Sequence, residues 1–308
     1  MFATRMLPLT RGCAAPTEES VAFAPDRVAA LDAIVRAGVL FVGLIAGGCG
    51  KSSPSQPSPT PTPTPAPATI ACTDAINTDA LGGVPFTTFL DPISYGCRVV
   101  NAGDGHPVHD GTQSARVELK ASECNSSSAS ADCQTDRSRY EVFDNNRGES
   151  SDGRIITYEV WVNVPVQPRF RPRGGNIMFL DQIQYLPPTT EGGGGVLAYL
   201  EVGQNGELMI RTHRGFNFDI QQQYTVAPNP VGMWTKIVWE IKGSTGADGY
   251  LRVYANDMLL VDESKPTLPI PGWRHSLKIG IYNAFRSAAT EQYDTQVVYF
   301  DGIRKSYR

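Results

Sequence analysis

The sequence has 308 residues, a formal net charge of -4 and 41% hydrophobic residues, so it is able to bury a sizeable core. Proteins that track phosphate backbones carry a basic excess, and the acidic balance therefore argues against nucleic acid as a partner. An acidic average remains compatible with a local basic cleft for an anionic ligand.

The first predicted element is an apolar run over residues 37–48. It is too short to cross a bilayer as a helix and matches the apolar region of an export signal. The small residues before Cys49 resemble a bacterial lipobox, which predicts lipidation of Cys49 and a membrane anchor; cleavage elsewhere, giving a secreted protein, is the alternative. Residues 1–49 are thus predicted to be the pre-sequence of an outer-membrane or cell-surface lipoprotein. The acidic residues upstream are unusual for a signal, and a start codon at Val35 would explain them.

Residues 50–69 are dominated by Pro, Thr and Ser. This composition cannot build a core and favours an extended polyproline II conformation, with a rise of about 3.1 Å per residue and a total reach of roughly 60 Å. We interpret the segment as a stalk that holds one folded domain, residues 70–308, away from a membrane.

Four cysteines lie in this domain, at Cys72, Cys97, Cys124 and Cys133, and they permit three pairings. Proximity favours Cys72 with Cys97 and Cys124 with Cys133, each contributing about 3 kcal/mol through loop closure. Disulfides indicate an oxidising compartment. There is no Cys-x-x-Cys pair and the chain has four histidines, so zinc is not expected and no cofactor is predicted to be required.

The domain contains short segments rich in Val, Ile, Tyr, Phe and Trp, separated by Gly, Pro, Asn and Asp. Such segments are typical of half-buried strands, and about ten of them in one domain predict a β-sandwich or jelly roll. The sequences "GQNG" at 203–206 and "YANDM" at 254–258 predict hairpin turns. The predicted strands are "SARVELKA", "SRYEVFD", "RIITYEVWVNVP", "NIMFLDQIQYL", "VLAYLEVG", "ELMIRTH", "TKIVWEIKG", "GYLRVYANDMLLVDE", "HSLKIGIYNAF" and "TQVVYFDGIRKS".

Side chains alternate between the faces of a strand, which divides each segment into two sets. Four segments place polar residues on one face: Arg137, Arg139 and Glu141; Met178, Leu180, Gln182 and Gln184; Glu207, Met209, Arg211 and His213; Lys278, Gly280 and Tyr282. The outer face of any sandwich is polar, so a solvated surface is one interpretation. The frequency of amides, Tyr and Arg favours a binding cleft.

These residue types fit one chemistry, the removal of the proton beside a sugar carboxylate. The reaction needs groups that neutralise the carboxylate, for which Arg and Gln are suited, and a base and an acid, for which His or Tyr is suited. A glycosidase-type pair of carboxylates is the alternative. Candidates for that pair are Glu141, Glu159, Glu201 and Glu207.

The segments "SRYEV", "LDQIQY", "SLKIGIYN" and "VVYFDGIRKS" resemble the β-jelly-roll polysaccharide lyases of the alginate-lyase, glucuronan-lyase and heparin-lyase-like group. The similarity spans roughly residues 110–308. It implies an all-β, concanavalin-like β-jelly-roll sandwich of two antiparallel sheets. It also implies β-elimination of a uronic-acid-containing polysaccharide, with an anionic polysaccharide as partner. We expect the protein to be a monomer.

The resemblance also implies roles for five residues. Arg139 would hold the substrate carboxylate, with Glu141 orienting it. Gln182 would neutralise the same carboxylate, and Lys278 would bind an anionic sugar. Tyr282 would donate a proton and act as the base.

Two positions depart from the pattern of this group. Ser276 replaces the first Tyr of the last motif, and Gln184 stands where a catalytic His is expected, although an amide cannot accept the proton. Gln184 is then expected to bind substrate. His213, beside Arg211 on the polar face, is a candidate replacement, and His106 or His109 in a loop is another.

Further basic residues extend the expected binding surface. Arg137 and Arg211 lie on the polar face, and Arg171 lies in a loop with Arg169 and Arg173. That loop is either a solvated turn or a cationic lip that attracts a polyuronate.

Two further expectations concern a cation and the function as a whole. Asp301 in "YFDG" resembles a position near a structural calcium, with a turn-capping role as the alternative. The alternative function is that of a noncatalytic carbohydrate-binding surface lipoprotein with the same cleft, and a third is a structural surface lipoprotein.

Overall fold

The computed structural model describes residues 70–73, 80–88, 96–120, 123–124, 131–144, 150–166, 177–188, 194–213, 215–216, 220–228, 230–284 and 295–308. Cys49, the segments 1–49 and 50–69, and Arg171 with its basic loop lie outside these residues. A search of the described ranges for a helix able to span a membrane finds no candidate.

The regular secondary structure of the described residues is almost entirely β-strand. Its strands are β1 (Ile70–Ala71), β2 (Phe86–Thr88), β3 (Cys97–Asn101), β4 (Gln113–Leu119), β5 (Arg137–Asp144), β6 (Ile155–Asn163), β7 (Ile177–Leu186), β8 (Gly195–Val202), β9 (Leu208–His213), β10 (Ile220–Ala227), β11 (Trp234–Lys242), β12 (Tyr250–Ala255), β13 (Met258–Ser264), β14 (Arg274–Ala284) and β15 (Gln296–Tyr307). One turn of 3-10 helix, Ala102–Asp104, follows β3. The ten predicted segments all form strands, whereas the short β1, β2 and β3 and the glutamine-rich β10 were not predicted.

Two sheets pack face to face. The back sheet has the order β1-β3-β4-β15-β6-β11-β12-β13, and the front sheet has the order β10-β9-β8-β7-β14-β5-β2. The strands pair antiparallel throughout both described sheets. The prediction of an all-β jelly-roll sandwich of two antiparallel sheets is confirmed.

The core lies between the inner faces of the two sheets. In β11, Ile237, Trp239 and Ile241 alternate with more exposed residues, as expected for a strand with one face buried. The Trp239 indole donates a hydrogen bond to the buried Asp181 of the front sheet at 3.3 Å. Burial raises the pKa of Asp181 to about 7, and its hydrogen bonds from Trp239 and the Leu200 amide oppose that shift.

The predicted division of β7 into two faces is wrong in its first half. Met178 and Leu180 lie in the core, while Phe179 lies on the outer face of the front sheet with Gln182. The cause is a β-bulge: the register of β7 with β8 shifts between Phe179 and Asp181. One extra residue reverses the side on which every preceding side chain lies.

Both predicted disulfides are present, Cys72–Cys97 and Cys124–Cys133. Both predicted hairpin turns are also present. The first joins β8 to β9, and the second joins β12 to β13 through Asn256 and Asp257, which have φ angles of 46° and 67°. Two consecutive positive φ angles are typical of a type I′ hairpin turn.

A buried histidine gives the fold a predicted dependence on pH. Burial lowers the pKa of His275 to about 4 from its ordinary 6.5, although a hydrogen bond with the Thr267 carbonyl opposes the shift. Between these values the unfolded chain binds a proton that the folded chain does not, so this residue lowers the free energy of unfolding as pH falls. The full effect is about 3 kcal/mol.

We expect this pH-dependent contribution to be absent from His275→Gln. Urea denaturation of both proteins at pH 7 and pH 4 measures the difference in their unfolding free energies. Asp181, whose raised pKa acts in the opposite direction, is common to both proteins and cancels in the difference. A difference that stays constant with pH would contradict the prediction.

Candidate active site

A cleft of about 540 Å³ lies on the outer face of the front sheet. Its described lining consists of Thr135, Arg137, Arg139, Ile177, Phe179, Gln182, Gln184, Gly194, Gly195, Val196, Tyr199, His213, Tyr282 and Ala284. Six of the site residues predicted from sequence therefore line the same cleft. None of these described lining residues is Asp or Glu, so the alternative of a glycosidase-type carboxylate pair receives no support from the cleft.

Arg139 lies in the cleft wall between two carboxylates. Its Nε donates a hydrogen bond to Asp132 Oδ2 at 3.0 Å, and its Nη1 lies 3.7 Å from Glu141 Oε2. Burial tends to lower the pKa of Arg139, but Glu141 and Asp132 outweigh it and raise the pKa. The guanidinium is therefore firmly cationic and partly fixed in orientation.

Gln182 and Lys278 face each other across β7 and β14, and both contact Glu141. Gln182 Nε2 donates to Glu141 Oε1, while Lys278 Nζ lies 3.7 Å from Glu141 Oε2. Gln182 Oε1 accepts a bond from Gln184 Nε2 at 3.4 Å. Only 5% of Lys278 is exposed, so its ammonium lies beneath the cleft beside Glu141 and not in the lining.

Tyr282 pairs with Arg139 across β14 and β5. The Arg139 guanidinium carbon lies 5.3 Å from the centre of the tyrosine ring, and Phe179 stacks on that ring with centroids 5.1 Å apart. Burial raises the pKa of Tyr282, while the positive charges of Arg137 and Arg139 oppose the shift. Among the described residues, none forms a hydrogen bond with its hydroxyl.

His213 lines the cleft at the far end of β9, with its ring 5.4 Å from the Tyr199 ring in a T-shaped arrangement. The neighbouring Arg211 does not reach the described lining, because its guanidinium binds both carboxylate oxygens of Glu201. The β9 strand is separated from β14 by β8 and β7. At about 4.8 Å between adjacent strands, His213 and Tyr282 are attached to backbones roughly 14 Å apart.

The alternative that His106 or His109 reaches the cleft is wrong. His109 stacks on Trp161 of β6 with centroids 3.6 Å apart, and His106 contacts Tyr299 of β15 at 3.1 Å. Both histidines therefore lie over the outer face of the back sheet, on the opposite side of the sandwich.

Asp301 holds the loop that carries these histidines. Its Oδ2 accepts hydrogen bonds from the backbone amides of His109 and Asp110, at 2.7 and 3.2 Å, and its Oδ1 accepts one from Gly302. These contacts fit a residue that caps a turn. No group of three or more His, Cys, Asp or Glu side chains suited to a metal occurs among the described residues.

Three residues of the site were not identified from sequence. Strict alternation places Phe179 on the face opposite Gln182, because the bulge in β7 is not visible in the pattern. Tyr199 faces Gln182 across β8 and β7, and a polar residue within "VLAYLEVG" was the available signal. Asp132 is contributed by the turn before β5, and its position beside Cys133 was the only indication of a fixed geometry.

A family model described as polysaccharide lyase matches residues 103–304, more than half of the chain. The match includes every described strand that contributes to the cleft. Among curated proteins, no sequence matches the chain.

Several solved structures are similar to the chain at low sequence identity. An endo-β-1,4-glucuronan lyase from the fungus Trichoderma reesei is 18% identical, with 65% of this chain and 83% of that chain covered and a TM-score of 0.48. An alginate lyase of polysaccharide lyase family 7 is 12% identical, with 72% and 94% covered and a TM-score of 0.47. An alginate lyase from Pseudomonas aeruginosa is 16% identical, with 63% and 83% covered and a TM-score of 0.42.

Proposed function

Because the chain belongs to the polysaccharide lyase family, its substrate is a polysaccharide, and we propose that it cleaves a uronic-acid-containing polymer by β-elimination. The observation that carries the proposal is the placement of Tyr282 directly beside Arg139 in the cleft, with Gln182 close by. These are a proton-transfer group and two groups able to bind a carboxylate.

The first task of the site is to make the proton on the sugar carbon next to the carboxylate more acidic. When that proton leaves, negative charge develops on the carboxylate oxygens. The Arg139 guanidinium and the second N–H of the Gln182 amide are suited to bind those oxygens and to stabilise the charge. Glu141 contacts both side chains and thereby holds the Arg139 guanidinium and the Gln182 amide close to each other.

Tyr282 is proposed to perform both proton transfers. Its phenolate removes the proton, the bond from the neighbouring carbon to the glycosidic oxygen breaks, and the resulting phenol protonates the leaving oxygen. Arg137 and Arg139 favour the phenolate and oppose the effect of burial on its pKa. Gln184 cannot accept a proton, and His213 is three strands away, so neither provides an obvious second base at the same sugar.

A single base and acid on one side of the sugar predicts the configuration of the substrate. The proton and the leaving oxygen must lie on the same face of the ring, as they do in 4-linked D-glucuronate and D-mannuronate. In 4-linked L-guluronate and L-iduronate they lie on opposite faces. We expect polymers of D-glucuronate or D-mannuronate to be cleaved at least about a hundredfold faster than those of L-guluronate or L-iduronate, the usual contribution of one positioned base.

Ultraviolet absorbance of the unsaturated uronide product measures this preference on a panel of defined polymers. The assay uses the full chain. Equal rates on the D- and L-uronate polymers would require a base on the opposite face and would contradict a mechanism based on Tyr282 alone.

A second candidate function, noncatalytic carbohydrate binding, is favoured by one observation: Gln184 lines the cleft where the resemblance leads us to expect a catalytic His. In that case a polyuronate would bind to the folded protein without the appearance of unsaturated product. Calorimetric titration together with the absorbance assay separates the two functions.

We also propose that the protein is exported. The two disulfides in the described residues are typical of an oxidising compartment, which supports export. Lipid anchoring through Cys49 and a monomeric state stay predictions, as does the absence of a required cofactor.

A further inference from the structure

Asp132 is a buried residue whose carboxylate, among the described residues, contacts the cleft lining through Arg139. It is 0% exposed and does not belong to the described lining, whereas its Oδ2 accepts the hydrogen bond from Arg139 Nε at 3.0 Å. A group in this position cannot touch a substrate in the cleft. Its direct contact with a group that can bind the substrate is the guanidinium, while its charge adds to the effect of burial in raising the pKa of Tyr282.

The surroundings of Asp132 are poorly suited to a residue that serves stability alone. Its second oxygen, Oδ1, is buried and forms no hydrogen bond with the described residues. Burial raises the pKa of Asp132, and the charge of Arg139 only opposes that effect. A buried carboxylate with one unsatisfied oxygen disfavours the folded state, and such local conflicts are concentrated at functional sites.

The chain around Asp132 is fixed from both sides. The next residue, Cys133, is bonded to Cys124. The Asp132 carbonyl accepts a hydrogen bond at 2.9 Å from the amide of Arg137, the first residue of β5. The disulfide joins the turn to the segment of Cys124, where the Glu123 carbonyl accepts a hydrogen bond from the Ser138 hydroxyl of β5, the strand that carries Arg139.

We propose that Asp132 is a positioning residue that orients the Arg139 guanidinium toward the substrate carboxylate, and that the Cys124–Cys133 disulfide keeps Asp132 in place. This inference rests on the proposed function of Arg139. A planar guanidinium forms two parallel hydrogen bonds with a carboxylate only when its plane is correctly oriented. With Nε bound by Asp132 and Nη1 beside Glu141, rotation of the group is restricted and its remaining N–H groups are left for the ligand.

Asp132→Asn tests the first part, because it keeps the shape of the side chain and removes its charge. We expect kcat on the cleaved polyuronate to fall at least about tenfold, as small displacements of binding groups cost up to about a hundredfold. The melting temperature should stay the same or rise. A residue with only a structural role would lose stability and activity together.

A double-variant comparison tests whether the effect passes through Arg139. If it does, Asp132→Asn combined with Arg139→Lys should have nearly the kcat of Arg139→Lys alone. Losses that multiply, or an unchanged kcat in Asp132→Asn, would overturn the assignment.

The disulfide is tested by Cys124→Ser with Cys133→Ser, and Cys72→Ser with Cys97→Ser is the matched control at the edge of the back sheet. Both pairs should lower the melting temperature, but only the first should lower kcat. If Asp132→Asn fails to fold, this comparison still decides the question. Equal effects of the two pairs on kcat would overturn the role of the Cys124–Cys133 bond.

The nuclear magnetic resonance signal of the Arg139 Nε–H, identified by its loss in Arg139→Lys, gives a readout independent of activity. It should shift or broaden in Asp132→Asn and in the Cys124 and Cys133 variant, and it should persist in the Cys72 and Cys97 control. If the wild type cleaves no polyuronate but these changes occur, the proposed function fails and the positioning role stands. If the wild type is active and Asp132→Asn keeps both kcat and the signal, the positioning role fails and the function stands.

Discussion

Tyr282→Phe should lower kcat for polyuronate cleavage by about a hundredfold to ten-thousandfold, the range supplied by one positioned acid or base. The substitution removes only the hydroxyl and keeps the ring that stacks on Phe179. Substrate affinity should change little, because Arg139 and Gln182 remain in the cleft. Initial rates from product absorbance, with affinity from calorimetric titration, measure the two effects separately.

The pH profile adds a second signature of the same residue. Burial raises the pKa of Tyr282, so at neutral pH most molecules carry the phenol, and the phenolate that acts as base becomes more abundant as pH rises. The value of kcat/KM in the wild type should therefore increase with pH, by about tenfold per unit below the pKa. Tyr282→Phe should lack this increase.

Tyr199→Phe is the matched control, because Tyr199 lines the same cleft and contacts the other side of Phe179. It should retain most of the wild-type kcat and the rise with pH. Full activity in Tyr282→Phe together with a large loss in Tyr199→Phe would assign the proton transfers to Tyr199.

Gly280→Ala should destabilise the fold by about 2–6 kcal/mol and displace Tyr282. Gly280 has a φ of 155°, and a Cβ at this position would lie 2.2 Å from the Tyr140 carbonyl oxygen and 2.7 Å from the Glu141 Cα. Both atoms belong to the backbone of β5, so the strand itself would have to move. Urea denaturation measures the loss, and kcat of the folded fraction measures the displacement of Tyr282.

Gly206→Ala separates the two components of this effect. Gly206 has a φ of 87° in the β8–β9 hairpin, but a Cβ there would meet no atom within 4 Å. Its replacement should cost only backbone strain, about 1–3 kcal/mol, and should leave kcat unchanged. If Gly280→Ala were no more harmful than Gly206→Ala, the close approach of β14 to β5 would not be a constraint on the site.

Alternation of apolar and polar residues was sufficient to predict most of the strands and the sandwich. In β11, for example, Ile237, Trp239 and Ile241 fall in strict alternation, and nothing in the strand interrupts it. The same rule failed in β7, because the bulge near Leu180 is stabilised by pairing with β8 and β14. Those partner strands are distant in sequence, so the local pattern of β7 does not reveal the shift in register.

The sequence pattern predicted on which face of their strands most site residues lie, but not how deeply these residues are buried. The sequence pattern correctly grouped Lys278 with Tyr282 on one face of β14, yet the first is buried beside Glu141 and the second lines the cleft. Alternation specifies the side of a sheet, whereas burial depends on the size and charge of neighbours on adjacent strands. The contribution of Asp132 depends on a turn closed by a disulfide, which periodicity does not describe.

The bulge in β7 determines which side chains of this strand form the cleft. Phe179 has an odd number in the sequence, whereas Gln182 and Gln184 have even numbers, so strict alternation would place the aromatic ring and the amides on opposite faces. They share the cleft only because the bulge adds one residue between them. Deletion of one residue at the bulge would turn either Phe179 or the two amides toward the core. A change of length by one residue at this point would therefore alter the binding surface more than the substitution of a single lining residue.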